Sequence, residues 1–305
     1  MGFLNALPGA VAQGLIWGIL AIGVYISYKI LDIADLTVDG SICTGACVCA
    51  LLITSGVPAW LSVIIAFLAG ALTGIITGLL HTAFGIPSIL SGILTQLMLY
   101  SVNLKILSGK SLLQLNARTQ NLLLNQLNNP LAILVATLVI ALIIVCLWLF
   151  FYTEIGLTIK STGDNPDMSR AQGINVNLNK VIGLAIANGL VAVSGALLAQ
   201  YQGFADINMG RGAIVIGLAA VIIGEVLFSK IFRNFALKLL SVSLGAIIYY
   251  IVIQAVISLL DINSNYMKLI SAVIVAIFLA VPYLRHNFRG KRSKPAKAGK
   301  DKTNA

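Results

Sequence analysis

PLAILVATLVIALIIVCLWLFFY, residues 130–152, is a run of twenty-three residues without one charged side chain. As a helix rising 1.5 Å per residue it reaches about 34 Å, enough to cross a hydrocarbon core about 30 Å thick. Outward from it, comparable apolar segments lie at 8–28, 37–55, 58–80, 86–107, 181–203, 212–229, 235–260 and 266–284, so that nine can be marked. Composition agrees: of 305 residues 59% are hydrophobic and 10% charged, with a mean hydropathy of +0.97, whereas an ordinary soluble domain has about 25% charged residues. The predicted fold class is all-α, a polytopic transmembrane helical bundle of about nine spans, within a range of 8 to 10. Segments 37–55 and 212–229 are rich in Gly and open beside charged residues, so each reads either as a plain span or as a broken, re-entrant one.

The formal charge of +10 is concentrated at one end, because residues 285–305 hold eight Lys/Arg against Asp301 and supply +7 of it. The rest of the chain carries twelve basic and nine acidic groups, which leaves no folded basic patch for a phosphate backbone; nucleic acid is not an expected partner. Residues 1–284 are read as the transmembrane domain, and 285–305 as a basic, disordered cytoplasmic tail near anionic membrane lipid. With 153–180 placed in the cytoplasm, fifteen Lys/Arg lie inside: Lys29, Lys160, Arg170, Lys180, Lys230, Arg233, Lys238 and the eight of the tail. Only Lys105, Lys110, Arg118, Arg211 and Lys268 remain outside, an asymmetry that predicts an outer N-terminus and an inner C-terminus. The first apolar run has neither the positive flank nor the cleavage site of a secretory signal, and is expected to stay in the mature protein.

Several chemistries are excluded by what the residues fail to assemble. Cys43, Cys47, Cys49 and Cys146 all fall in apolar runs, where a thiol behaves as a small hydrophobe, and no disulfide framework is implied. His81 is the only histidine before the tail, so no metal site is expected. The GKS of Gly109–Ser111 needs a glycine at position 104 to complete a phosphate-binding loop, and Leu104 stands there. With two histidines in all and neither H-E-x-x-H nor G-x-S-x-G, no hydrolytic site can be built.

Two loops stand out. The outer one, 108–129, is polar and dotted with leucines, and is expected to form an amphipathic helix at the surface, as a docking face or a plain connector. The inner one, 153–180, contains TGDNPDMSRAQGINVN. Asn165 suits an N-cap, Pro166 the first helical position, Asp167 the positive helix end, Arg170 the last turn and Gly173 the left-handed stop. About two turns of helix result, too short to stand alone in water, and a short capped helix of this kind suits a groove on a soluble partner. Elsewhere, Ala66, Gly70, Gly74 and Gly78 recur every four residues, and Ala185, Gly189, Ala192, Ala196, Ala199 and Gly203 at fours and threes. Both are small-residue seams for close helix contact, within the bundle or across a dimer.

The pattern G-x(5)-TG-x-NP-x(3)-RAQGINV over 156–176, with IVIGLAAVIIGEVLF at 214–228, resembles the permease subunits of bacterial ABC importers of the branched-chain amino acid and ribose type. ADLTVDGS at 34–41 and GALTGIITGLLHTAFGIPSILSGILT at 70–95 look closer to the subgroup linked with tryptophan- or tyrosine-type binding proteins. The resemblance spans about 1–285. It implies a multi-pass permease in the bacterial cell membrane that makes no covalent chemistry, is paired with a second copy of itself, and imports a small solute by alternating access. It further implies ATPase subunits inside, which bind ATP and Mg, and a solute-binding lipoprotein outside; no cofactor sits on this chain. Carried over, Thr162, Gly163, Asp164, Asn165, Pro166, Asp167, Arg170 and Gly173 are the coupling positions. The absent phosphate-binding loop then follows, since ATP is hydrolysed by another polypeptide.

Polar groups within spans are costly and tend to face a bundle interior or a water-filled path. Asp39, Gln96, Asn103, Asn188, Gln200, Glu225 and Gln254 are the candidates. Glu225 reads as path-lining, paired with Lys230, or facing water; Asn188 as an interhelical hydrogen-bonding group; Asp39 as the cap of its own helix or a solute contact. Asp206 and Arg211 read as a mutual pair or as contacts for the binding protein, and His81 has no assigned chemistry. The alternative function is a secondary transporter or channel without an ATPase, which ordinarily shows chains of membrane-embedded Asp, Glu or His.

Overall fold

The computed structural model describes residues 2–116, 122–126, 129–228, 231–232, 234–260, 269, 272–273 and 275–276. Most of the expected 266–284 segment, the 285–305 tail, Arg118, Lys230, Arg233 and Lys268 lie outside the described residues. The chain is an all-α bundle of helices: α1 (Gly2–Tyr25), α2 (Val38–Thr54), α3 (Ala59–Thr82), α4 (Ser88–Ile106), α5 (Asn129–Phe151), α6 (Glu154–Asp164), α7 (Pro166–Ala171), α8 (Val176–Gln202), α9 (Ala213–Phe228) and α10 (Phe235–Leu260). Six of these, among the described residues, are long and apolar enough to cross a membrane; α2 and α9, with 17 and 16 residues, are shorter.

Burial separates the helices into two roles. The spans of α1 and α8 are 83% and 78% buried, whereas those of α3, α4, α5 and α10 are 22–39% buried. Accordingly, α3 exposes Ile64, Leu68, Leu72 and Ile76 at four-residue intervals and α5 exposes Leu134, Leu138 and Leu142, stripes that lipid solvates as well as protein would. The two central helices meet their neighbours through glycine. An added Cβ at Gly14 would lie 2.7 Å from Ile247 Cα of α10, and one at Gly23 2.7 Å from Ala187 O of α8. Gly70, Gly74 and Gly78 set α3 directly on Asn188 O and Ala192, on Leu184 O, and on Val181 of α8. Gly189 lies against the Phe67 ring, Ala192 also meets Gly45 of α2, and Ala196 is fully buried, so both small-residue seams are spent inside one chain.

After α1 a π-helical turn, Ile26–Ile30, leads into an irregular stretch that does not stay at the bundle end. Asp35 and Thr37 are buried among helices, and α2 starts there, at the depth of Asn188 in the middle of α8. Residues 207–212 likewise turn back into the bundle, where Gly210 packs on Asp39, Ile42 and Cys43, and α9 begins at the fully covered Ala213. Segments 37–55 and 212–229 are therefore shorter helices whose starts are buried.

The outer loop corrects one expectation. Among its described residues there is no amphipathic helix: Leu112–Gln114 forms β1, antiparallel to β2 (Phe204–Asp206), with Leu112 opposite Asp206. Its leucines are used differently. Leu115 and Leu124 are buried, and Leu113, Leu122 and Leu123 pack against the helix ends, so the apolar side chains plug the bundle instead of floating at its surface.

Candidate functional site: an inner cavity and a helical lever

At the end opposite the two-stranded sheet, the chain from Thr153 to Lys180 is more helical than its sequence suggests. α6 occupies Glu154–Asp164, within the expected inner loop, and α8 starts at Val176 instead of near 181. Thr153 accepts from Gly156 N to start α6, and Asn175 accepts from Leu178 N at 3.2 Å to start α8. Between them α7 is a six-residue helix: Asn165 Oδ1 accepts from Met168 N at 3.0 Å, Pro166 is its first residue, and Gly173 follows with φ +81°. Arg170 lies 3.5 Å from Asp167 in an exposed pair that contributes little.

This lever is fastened to the bundle at two points and braced internally at a third. Thr162 Oγ1 accepts from Asn179 Nδ2 of α8 at 3.0 Å, and Ser161 and Ser169 share a hydroxyl hydrogen bond of 2.8 Å that braces α6 against α7. Gly163 lies directly on Ile30 O, so close that any β-carbon would overlap the carbonyl. Asp164, Pro166, Asp167, Met168 and Arg170 face outward, Met168 with 60% of its surface exposed.

α2, α4 and the 207–211 turn line an open-sided cavity of about 300 Å³, bordered by Asp39, Cys43, Gln96, Tyr100, Asn103, Ile207 and Arg211 among others. Gln96, Tyr100 and Asn103 share one face of α4 by their three- and four-residue spacing. Asp39 sits in the first turn of α2 but caps a different helix from the one expected: Oδ2 accepts from Gly212 N and Oδ1 from Ile214 N, each at 2.9 Å, at the start of α9. Those amides have no partner within α9, and the carboxylate answers its positive end. Asn103 is 1% exposed, yet its Oδ1 has no hydrogen-bond partner. Asp206 accepts from Asn208 N at 2.6 Å; among the described residues no ion pair joins it, or any other acid, to Arg211. Arg211 also borders a second cavity of about 340 Å³ with Trp17, Met209, Tyr249 and Tyr250.

The remaining candidates are placed elsewhere. Asn188 belongs to a buried hydroxyl and amide network with Asp35, Ser41 and Thr73. Gln200 accepts from Leu123 N at 3.0 Å and donates to Cys49 Sγ at 3.3 Å, pinning the outer loop. Glu225 lies 3.5 Å from Lys29 of the π-helical turn that follows α1, a partner other than the expected Lys230. Gln254 faces a third, polar cavity with Gln13, Asn129 and Tyr201. His81 Nδ1 donates to Ile86 O at 2.9 Å and its Nε2 accepts from Lys180 Nζ at 3.3 Å. Asp35, fully enclosed, was absent from the sequence candidates; its signal was an acid two residues before a threonine, flanked by apolar residues on both sides.

Comparison with known proteins extends this geometry. A family model described as "Branched-chain amino acid transport system / permease component" matches residues 7–281. A tyrosine transport system permease protein of Clostridioides difficile is 39% identical over 291 residues, 95% of this chain and 96% of that protein. An uncharacterized protein of Rickettsia prowazekii is 37% identical over 91% of this chain and 98% of its own. An autoinducer 2 import system permease of Escherichia coli K12 is 28% identical over 61% of this chain and 54% of its own. With nearly the whole bundle inside the family match, the chain belongs to the branched-chain amino acid transport permeases, as a multi-pass bacterial membrane subunit of an ATP-driven importer.

Proposed function

We propose that this chain carries an amino acid with an aromatic side chain inward by alternating access, as one of two copies that together form the path. ATP is bound with Mg and hydrolysed by separate ATPase subunits on the cytoplasmic side, where α7 sits in a groove of the ATPase. A lipoprotein on the outside captures the solute. The N-terminus then lies outside, and 153–180 and the basic 285–305 tail lie inside, the latter against anionic lipid. The relative that carries the word tyrosine in its name supports the solute class, since it is matched over nearly its full length.

The observation that carries the coupling reading is the mechanical attachment of the lever. Thr162, Gly163 and Ser169 are fixed against α8, Ile30 and α6, while the opposite face of α7 presents Pro166, Asp167, Met168 and Arg170. Displacement of α7 is thereby passed to the end of α1 and the start of α8, the two most buried spans.

The test is purification in mild detergent from the native host, comparing the wild type with a variant that combines Arg170→Glu and Pro166→Gly. An ATP-binding protein is expected with the wild type and lost with the variant. A wild-type chain that comes alone, and moves solute in liposomes without ATP, sinks the reading.

A further inference from the structure

We infer that the 300 Å³ cavity reads the two charged ends of a zwitterionic α-amino acid, with Arg211 taking the carboxylate and Asp39 with Asn103 taking the ammonium, and that the neighbouring aromatic cavity takes the side chain. The inference rests on the importer reading and assigns contacts within it. Three observations carry it.

First, one wall holds charges of opposite sign that do not neutralise each other. Asp39 accepts its hydrogen bonds from the backbone N–H groups of Gly212 and Ile214, and among the described residues no ion pair reaches Arg211. Each carboxylate oxygen keeps a second lone pair. The Arg211 side chain is exposed, and its planar fork is open to a carboxylate from a solute.

Second, Asn103 Oδ1 is buried and has no partner. A buried acceptor left bare is costly unless something donates to it during the working cycle, and an ammonium has three donors. It lines the same cavity as Asp39, so a single ammonium is the simplest group that meets both.

Third, Arg211 borders both cavities. The second is walled by Trp17, Tyr249 and Tyr250, with the Trp17 and Tyr250 rings 5.9 Å apart between centroids. A solute held at its carboxylate by Arg211 therefore has a charged pocket and an aromatic one within reach, each near the lower end of the roughly 300–1,000 Å³ usual for small-molecule sites. A neutral sugar has no group for either charge.

The test uses the permease with its ATPase in detergent, without the binding protein, so that capture outside does not mask contacts here. L-Phenylalanine, phenethylamine and 3-phenylpropionate serve as probes, and the melting midpoint is the readout. L-Phenylalanine is expected to raise the midpoint at the lowest concentration, and each charge-deleted analogue to need at least about tenfold more. In Arg211→Gln the concentration of L-phenylalanine needed should rise at least about tenfold and become equal to that of phenethylamine, with partial rescue in Arg211→Lys. Asn103→Leu should weaken the amino acid and phenethylamine alike. Equal action of all three probes on the wild type overturns the inference. In the complete transporter, ATP-driven uptake of L-tyrosine at an unchanged rate in Arg211→Gln overturns it too and leaves the importer reading standing; absence of amino acid uptake by the wild type overturns both.

Discussion

Asn188 donates through Nδ2 to Asp35 Oδ2 at 2.6 Å, joining two residues 153 positions apart in the centre of the bundle. The bond holds the start of α2 on the middle of α8. Asp35 Oδ1 also accepts from Thr37 N, Ser41 donates to Asn188 Oδ1, and Thr37, Thr77 and Thr95 continue the chain of hydroxyls into α3 and α4.

Replacing Asn188 by Leu removes the partner of a buried acid and of Ser41 together. Leaving a buried polar group without its hydrogen-bond partner costs about 1–3 kcal/mol. Asn188→Leu should therefore lower the melting midpoint of the detergent-solubilised protein clearly, and Ser41→Ala should lower it less. Equal midpoints for Asn188→Leu and the wild type would show that the network is not needed for the fold.

Gly74→Ala should be destabilising by about 1–3 kcal/mol, because the new methyl overlaps Leu184 O, a backbone atom that cannot rotate away. Gly9→Ala is the matched control: the nearest atom is Tyr201 Oη at 3.7 Å, and exchanging a helical Gly for Ala there should be neutral or stabilising by up to about 1 kcal/mol. Thermal unfolding of the two variants side by side decides it.

Asn165→Ala takes away the cap of α7 without touching the bundle. The local cost is about 1 kcal/mol. The expected outcome is an unchanged melting midpoint with less solute moved per ATP consumed, measured in proteoliposomes of the complete importer. Unchanged stoichiometry would remove α7 from the coupling route.

Glu225 and Lys29 form a half-exposed pair at 3.5 Å, with 37% and 52% of their side chains open. Such pairs contribute about 0–1 kcal/mol. Glu225→Gln should change stability by less than about 1 kcal/mol and uptake by less than about twofold. An uptake loss of tenfold or more would place Glu225 on the path.

What the sequence shows is strongest where one physical cause dominates. Lipid imposes apolar length, so the spans were legible, and the local chemistry of Asn165, Pro166 and Gly173 announced α7 because caps act within a few residues. α6 was harder to see, since Glu154–Asp164 is polar on one side and rests through Gly163 on Ile30, more than 120 positions earlier in the chain. The same limit hid the real partner of Asp39. Nothing local to residue 39 says that its carboxylate closes the start of a helix at residue 213. Asp35 was hidden because an acid between two apolar runs looks like loop until the loop is found to turn back inside. Gln96 and Asn103 were visible as costly polar groups, but only the fold puts Arg211 in the wall they share.

The buried start of α2 also constrains how the protein is made. Asp35 and Thr37 leave the ribosome long before Asn188, and hydrocarbon offers no hydrogen bonds to a stretch of irregular backbone. Residues 31–37 therefore reach their final depth only after α8 has been synthesised, and until then the nascent chain must keep them in water or sheltered by the insertion machinery. The first helices of this protein wait for a later one, so a ribosome stalled before residue 188 should leave a membrane intermediate with Asp35 still open to solvent.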